Sequence, residues 1–231
     1  YIVASDHLLQ AKAGYLGTGF FIIRTIFYFA VWSFLSITLF KVSIKQDGGY
    51  HESQIRKMRL ISAPGMVIFA LTLTFASFDW IMSLDAHWYS TIFGVYIFSG
   101  AALAVLAFII LQVIYLQNNN ILKEEITVEH YHDLGKMTFT FVIFWAYIAF
   151  SQYFLIWYGN IPEETIWYHQ RWDNSFKYIS LALVFGNFLI PFVVMIARGG
   201  KRNLTTLKIM AIWLLFMHWV DIYWLIMPNF K

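Results

Sequence analysis

The sequence predicts an all-α membrane protein, a polytopic bundle of transmembrane helices. Of the 231 residues, 60% are hydrophobic and only 13% are charged, whereas soluble domains are about half apolar and about a quarter charged. Apolar runs recur along the whole chain, and roughly 20 helical residues cross a hydrocarbon core of about 30 Å. We therefore expect the range 1–231 to form a single integral membrane domain, surrounded by lipid.

Six segments are long and apolar enough to be transmembrane helices. They cover 14–40, 62–82, 90–116, 137–158, 176–197 and 206–227. The second opens with Ser62 and Pro64, a pattern that favours a helix cap and a first turn. Because the chain starts at Tyr1 and ends just after an apolar run, a fragment of a longer protein is expected, so six is a minimum.

The basic residues predict how these helices are oriented. Eleven of them lie in alternate connections, namely Lys41, Lys45, Arg56, Lys57, Arg59, Lys123, Lys136, Arg198, Lys201, Arg202 and Lys208. The other connections and ends hold Lys12, Arg171, Lys177 and Lys231. The positive-inside rule places the first group in the cytoplasm. Asp85 and His87 then face outward, where tryptophans and tyrosines predict an interfacial aromatic belt.

The composition also argues against several kinds of site. The chain has no cysteine, which excludes disulfides, thiolate-held iron–sulfur clusters and cysteine zinc sites within it. His130 and His132 have no further ligands nearby to complete a metal site. Only His218 lies clearly inside a span, whereas a bis-histidine haem needs two facing histidines. No metal or haem site is therefore expected. No nucleic-acid site is expected either, since the basic residues form no binding stripe.

Polar residues inside the spans are the most informative feature, because charged groups are costly in a bilayer. Arg24 lies ten residues into the first segment, about 15 Å deep. Asp79 ends the second segment, and Gln152 lies in the outward half of the fourth, beside Tyr153. His218 and Asp221 are three residues apart in the sixth, and so share one helix face. We therefore expect the polar groups to concentrate between the midplane and the outer face.

Two interpretations of these residues stay open. In the structural one, Asp79 or Asp221 neutralises Arg24 and the remaining polar groups are interhelical hydrogen-bond partners. In the functional one, they form a quinol or proton site, because quinol oxidation releases two protons that titratable groups must carry to water. Asp79, His218 and Asp221 are then the candidate quinol- and proton-handling residues. Asp85 and His87 are candidates for proton exit or partner contact, and Arg24, Gln152 and Tyr153 for quinol binding.

Several long motifs resemble one known family. They are SFDWIMSLDAHWYSTIFGVYIFSG, YHDLGK, FVIFWAYIAFSQYFLIWYGNIPEETIWY and HWVDIYWLIMPNF. They resemble the membrane subunits of bacterial alternative complex III, most closely the smaller of its two quinone-type subunits. These subunits are related to the membrane subunit of polysulfide reductase. The resemblance extends from about Tyr15 to Phe230.

The resemblance implies a fold, a location and a set of partners. Full members have about ten helices, built as two four-helix bundles with peripheral helices, in the bacterial inner membrane. Electrons pass from quinol through iron–sulfur and c-type haem subunits to cytochrome c or a terminal oxidase, alongside a homologous membrane subunit. The membrane subunits hold no haem or iron–sulfur cluster. Asp79, Asp85, His87, His218 and Asp221 fall within the family motifs and are carried over as candidates.

Two further functions remain as alternatives. One is a structural membrane anchor that docks the redox subunits and binds no ligand. The other is a transporter, although neither the inverted repeats nor the broken helices common in transporters are apparent.

Overall fold

The computed structural model describes residues 6–49, 52–121, 124–173 and 175–230, and every regular element in these ranges is helical. Six of the helical segments are long and apolar enough to cross a membrane. This confirms the predicted all-α polytopic class. The chain forms two compact units, Tyr1–His87 and Trp88–Lys231.

The first unit has two long helices that pack against each other. A short helix α1 (His7–Leu16) leads into α2 (Thr18–Ile44); α3 (Glu52–Trp80) follows, with a 3₁₀ turn at Met82–Leu84. The predicted start of the second span at Ser62 is wrong as a helix start, because α3 begins ten residues earlier. Residues 52–61 are too charged to count as a span but are rich in good helix formers. Pro64 therefore lies inside α3, where its missing N–H leaves the carbonyl of Leu60 without its usual donor.

The second unit is built around α4, which packs against both α5 and α10. Its helices are α4 (Phe93–Asn118), α5 (Val128–Gly159), α6 (Pro162–Trp172), α7 (Phe176–Ala182), α8 (Ile190–Ile196), α9 (Arg198–Arg202) and α10 (Leu204–Ile226). Its core contains Leu103, Ala107, Ile110, Val142 and Leu214, each no more than 1% exposed. These residues come from α4, α5 and α10, so the three helices share one core.

The fifth span is interrupted by a π-helical segment. Leu183–Leu189 joins α7 to α8, and Pro191 is the second residue of α8. Because proline has no N–H, the carbonyl of Asn187 loses its normal helical donor, and a local change of helix type accommodates the loss. Within the segment, the carbonyl of Gly186 accepts a hydrogen bond from Trp213 Nε1 at 2.7 Å. A side chain of α10 thus satisfies part of the irregular backbone, as a membrane interior requires.

Several aromatics that were predicted to face outward are buried in a cluster rather than placed in an interfacial belt. Trp88 and Trp167 stack with their ring centroids 4.4 Å apart, and Trp224 packs edge-on against Trp167. Arg171, predicted to lie in an outward connection, is only 1% exposed and lies over the Trp167 ring at 3.4 Å. It donates hydrogen bonds to the carbonyls of Trp167 and Leu225. This arginine therefore ties α6 to the end of α10.

Candidate functional site

Among the residues that the structure describes, two carboxylates are buried inside the spans, one in each unit. Asp79 in the first unit and Asp221 in the second are each 1% exposed. They differ in what surrounds them.

Asp79 is held by a cation in a two-pronged geometry. Arg24 Nε donates to Oδ2 at 2.8 Å and Arg24 Nη2 donates to Oδ1 at 3.0 Å. The Tyr28 hydroxyl adds a third hydrogen bond to Oδ2 at 2.7 Å. A bidentate arginine–carboxylate pair is among the strongest and most directional polar contacts in proteins. Of the two partners that the sequence left open for Arg24, the structure selects Asp79.

The Arg24 side chain is itself enclosed. Its third nitrogen donates to the carbonyl of Tyr15 at 3.0 Å, and its guanidinium lies 3.9 Å from the Tyr15 ring and 4.3 Å from the Phe20 ring. Burial, with help from the Asp79 carboxylate, raises the pKa of Tyr15 to about 12, so this phenol stays neutral. Because α2 begins at Thr18, Arg24 lies about 9 Å along the helix and is closer to its start than the sequence predicted.

Asp221 is held without a cation. Tyr96 Oη donates to its Oδ1 at 2.5 Å, and Trp145 Nε1 donates to its Oδ2 at 3.1 Å. Both donors are neutral and are themselves buried. Among the described residues, no lysine, arginine or histidine nitrogen lies within ion-pair distance of Asp221. Three helices, α4, α5 and α10, thus meet at one carboxyl group.

His218 lies beside Asp221 because Gly100 leaves room for both. A Cβ atom built on Gly100 would lie 3.2 Å from His218 Nδ1 and 3.6 Å from Asp221 Oδ2. The predicted shared face of His218 and Asp221 is therefore confirmed, and it packs directly onto α4. His218 is half-buried whereas Asp221 is fully buried, so the imidazole is the more accessible of the two groups.

Gln152 and Tyr153, predicted together as quinol-binding residues, have different surroundings. Gln152 is 3% exposed, and its Oε1 has no hydrogen-bond partner among the described residues. Tyr153 is 45% exposed, and its ring meets Tyr168 edge-on at 5.2 Å. Burial raises the pKa of the Tyr168 phenol, so that neighbour is neutral. Adjacent helix positions point in different directions, so Gln152 faces the interior of its unit and Tyr153 its surface.

Asp85 and His87 form local contacts in the connection after α3. Asp85 Oδ1 accepts a hydrogen bond from the backbone N–H of His87 at 3.2 Å. His87 Nε2 lies 2.6 Å from Asp6 Oδ2, and the His87 side chain is 56% exposed. Lys12 also donates to the carbonyl of Ala86 at 2.8 Å. These contacts attach α1 to the connection.

Sequence reasoning missed the partners of both carboxylates. Tyr28, Tyr96 and Trp145 look like ordinary aromatics of apolar helices, and nothing near them in the sequence marks them as donors. Tyr96 and Trp145 are 125 and 76 residues from Asp221. A buried phenol or indole needs a hydrogen-bond partner, but the sequence does not show which polar group supplies it.

The described residues contain no group of three histidines or carboxylates that could hold a metal ion. The chain matches no protein-family model, and no curated protein is significantly similar to it. The fold and the site therefore define only the class of protein. It is an all-α, polytopic membrane protein in which one buried carboxylate is paired with a cation and another is bonded to neutral donors.

Proposed function

We propose that this chain is an integral membrane subunit of a quinol-oxidising respiratory complex of the alternative complex III type. Its role is to support quinol binding and proton transfer in the outer half of the bacterial inner membrane. Electrons pass to cytochrome c or an oxidase through partner subunits that carry iron–sulfur clusters and c-type haems. The motif resemblance supports the family, and the Asp221 centre is the structural observation that supports the chemistry.

Asp221 is suited to gaining and losing a proton because either state keeps its contacts. Trp145 can only donate, so Oδ2 stays an acceptor. A phenol both donates and accepts, so the bond between Tyr96 and Oδ1 persists when the carboxyl is protonated and donates instead. No ion pair is broken in either state. Protonation of Asp79, in contrast, would leave the Arg24 cation without its carboxylate.

His218 is the group that a membrane-borne headgroup would reach first. Oxidation of a quinol to a quinone releases two electrons and two protons, and the protons need acceptors beside the ring oxygens. The half-buried imidazole provides one acceptor, and the carboxyl of Asp221 provides a second behind it. Their shared packing against Gly100 keeps them adjacent.

The test uses the native complex, extracted in mild detergent through a tag on this chain. The complex is reduced with a quinol, and the absorbance of c-type haem is followed for wild type, Asp221→Asn and His218→Gln. We expect haem to copurify and each variant to be reduced at least roughly a hundredfold more slowly, because a general acid–base group typically contributes about 10²–10⁴-fold. Tyr147→Phe, at a 64% exposed position of α5 that is no candidate site residue, is the matched control and should retain the wild-type rate.

Two results would overturn the proposal. If no haem-bearing partner copurifies, the chain does not belong to a respiratory complex of this type, and the transporter alternative is favoured instead. If haem copurifies and Asp221→Asn is reduced at the wild-type rate, this carboxyl takes no part in quinol oxidation.

The second candidate function is a structural anchor, and the Arg24–Asp79 pair favours it. That pair is contacted by Tyr15, Phe20 and Tyr28, and the Arg24 side chain is only 11% exposed, as expected of a device that fixes helix register. An anchor predicts that Asp221→Asn and Asp79→Asn change only the yield of assembled complex, with the rate per haem unchanged.

A further inference from the structure

A basic groove lies at the end of the first unit remote from the Arg24–Asp79 pair. It is formed by the last turns of α2 and the second turn of α3, and its volume is about 360 Å³. Lys41, Lys45 and Lys57 line it. Neither the resemblance nor the proposed function assigns a role to this end of the unit.

The three lysines have no carboxylate partner among the described residues. None of the ion pairs in these ranges includes Lys41, Lys45 or Lys57. The nearest acids in the chain are Asp47 and Glu52, and neither lines the groove. Glu52 instead borders an adjoining depression beside Arg56. Three like charges that converge on one groove repel each other, and a bound anion would relieve that repulsion.

The groove changes from apolar to basic along α2. Phe34, Ile37, Lys41 and Lys45 recur at intervals of three and four residues, so they lie on one face of the helix. Phe34 and Ile37, on the side towards the middle of the span, are 66% and 52% exposed. From Phe34 to Lys45 the helix rises about 16 Å, and the charge appears only in its last part.

This gradient matches the shape of a phospholipid that carries negative charge. The phosphate would lie among the ammonium groups at the helix end, and an acyl chain would extend along Phe34 and Ile37. Basic pockets between transmembrane helices on the cytoplasmic side are typical sites for anionic headgroups. The abundance of basic residues in this connection predicts that same side.

We propose that the groove lined by Lys41, Lys45 and Lys57 is a binding site for the phosphate headgroup of an anionic phospholipid. The phosphate is the recognised group, and the apolar wall distinguishes a lipid from free phosphate. The lipid binds between the end of α2 and the start of α3 and fastens these ends together from outside.

The test is native mass spectrometry of the full chain, released from detergent micelles containing equal amounts of phosphatidylglycerol and phosphatidylcholine. We expect wild type to retain one phosphatidylglycerol at least roughly tenfold more strongly than phosphatidylcholine, because each lysine adds attraction for an anionic surface. The variant Lys41→Gln/Lys45→Gln/Lys57→Gln should lose this preference. The variant with arginine at the same three positions should keep it, since the charge is retained.

The matched control removes three charges elsewhere. Arg59→Gln/Arg198→Gln/Lys208→Gln changes exposed residues that line neither basic depression, and it should bind phosphatidylglycerol as wild type does. Circular dichroism and size-exclusion chromatography check that each variant is folded.

Three outcomes overturn the proposal. Equal loss in the control would show that net charge attracts the lipid. Retention in the glutamine variant would place the lipid elsewhere. Displacement of phosphatidylglycerol by sodium phosphate at about 10 mM, a large excess over a micromolar site, would show that the groove recognises free phosphate. The acyl chain would then make no contribution.

Discussion

The two units bury the same type of side chain in opposite ways. In the first, Asp79 meets the Arg24 guanidinium through two hydrogen bonds and Tyr28 through a third. In the second, Asp221 meets only the neutral donors Tyr96 and Trp145. The first arrangement stabilises one charge state, and the second tolerates two. The contrast shows that a buried carboxyl indicates a function only when its countercharge is known.

The largest expected effect tests the first unit. Arg24→Gln leaves the Asp79 carboxylate buried beside Tyr28 without a cation, and breaking a buried ion pair from one side costs about 3–5 kcal/mol. The free energy of unfolding of the purified chain, measured in mixed micelles with increasing SDS, should fall by that amount. The double variant Arg24→Gln/Asp79→Asn removes both charges and should recover most of the loss. A single variant as stable as wild type would contradict the closed pair.

The matching change in the second unit should cost less. In Asp221→Asn, the amide oxygen still accepts from Trp145 and the amide N–H donates to the Tyr96 oxygen. The Tyr96 hydroxyl, which donates to Asp221 in the wild type, loses that acceptor, but no charge is left unpaired. We expect a loss of about 1–2 kcal/mol, the lower part of the cost of an unsatisfied buried donor. Asp79→Asn, in the same assay, should cost about 3 kcal/mol or more, because Arg24 loses its carboxylate. Similar losses for the two variants would remove the contrast between the units.

A smaller effect is expected where α4 approaches His218. Gly100→Ala places a methyl group 3.2 Å from His218 Nδ1, so the imidazole must move, and overpacking of this kind costs about 1–3 kcal/mol. Gly19→Ala is the control, because no heavy atom lies within 4 Å of its added Cβ. In a helix that change is neutral or stabilises by up to about 1 kcal/mol. The same SDS titration separates the two, and a neutral Gly100→Ala would show that His218 has more room than the geometry indicates.

The smallest effect is expected at the connection after α3. His87→Gln removes an exposed pair with Asp6, and exposed ion pairs contribute about 1 kcal/mol or less. The free energy of unfolding, measured by the same SDS titration, should therefore change by no more than that. A loss of several kcal/mol would show that the attachment of α1 is a main source of stability in the first unit.

The sequence predicted most of the helices because the bilayer imposes their length. Each predicted span overlaps a helix or, for the fifth, a run of helical segments. The largest errors occur where the helix outlasts the apolar run: α3 and α5 begin ten and nine residues before the predicted starts. A smaller error affects the first span, predicted as 14–40, because α2 covers Thr18–Ile44. Charged residues such as those at 52–61 continue a helix once it leaves the apolar region, and hydropathy does not register this.

The site was predictable only in part. Asp79, His218 and Asp221 stood out because ionisable residues are rare inside spans, and the i, i+3 spacing placed His218 beside Asp221. The partner of Arg24 stayed open between two aspartates, because both were at suitable depth. The π-helical segment and the buried Arg171 carried no clear signal, since an arginine between two apolar runs looks like an ordinary connection residue.

By itself, then, the amino-acid sequence determined the membrane class, the six candidate spans found among the described residues and the rarity of the intramembrane charges. These follow from composition and periodicity, which act locally and are set by the solvent that surrounds each helix. Only the tertiary structure decided that Asp79 is paired with a cation while Asp221 is bonded to a phenol and an indole. That difference depends on which helices pack together and at what rotation, because hydrogen bonds between residues 55 to 125 positions apart are fixed by packing alone.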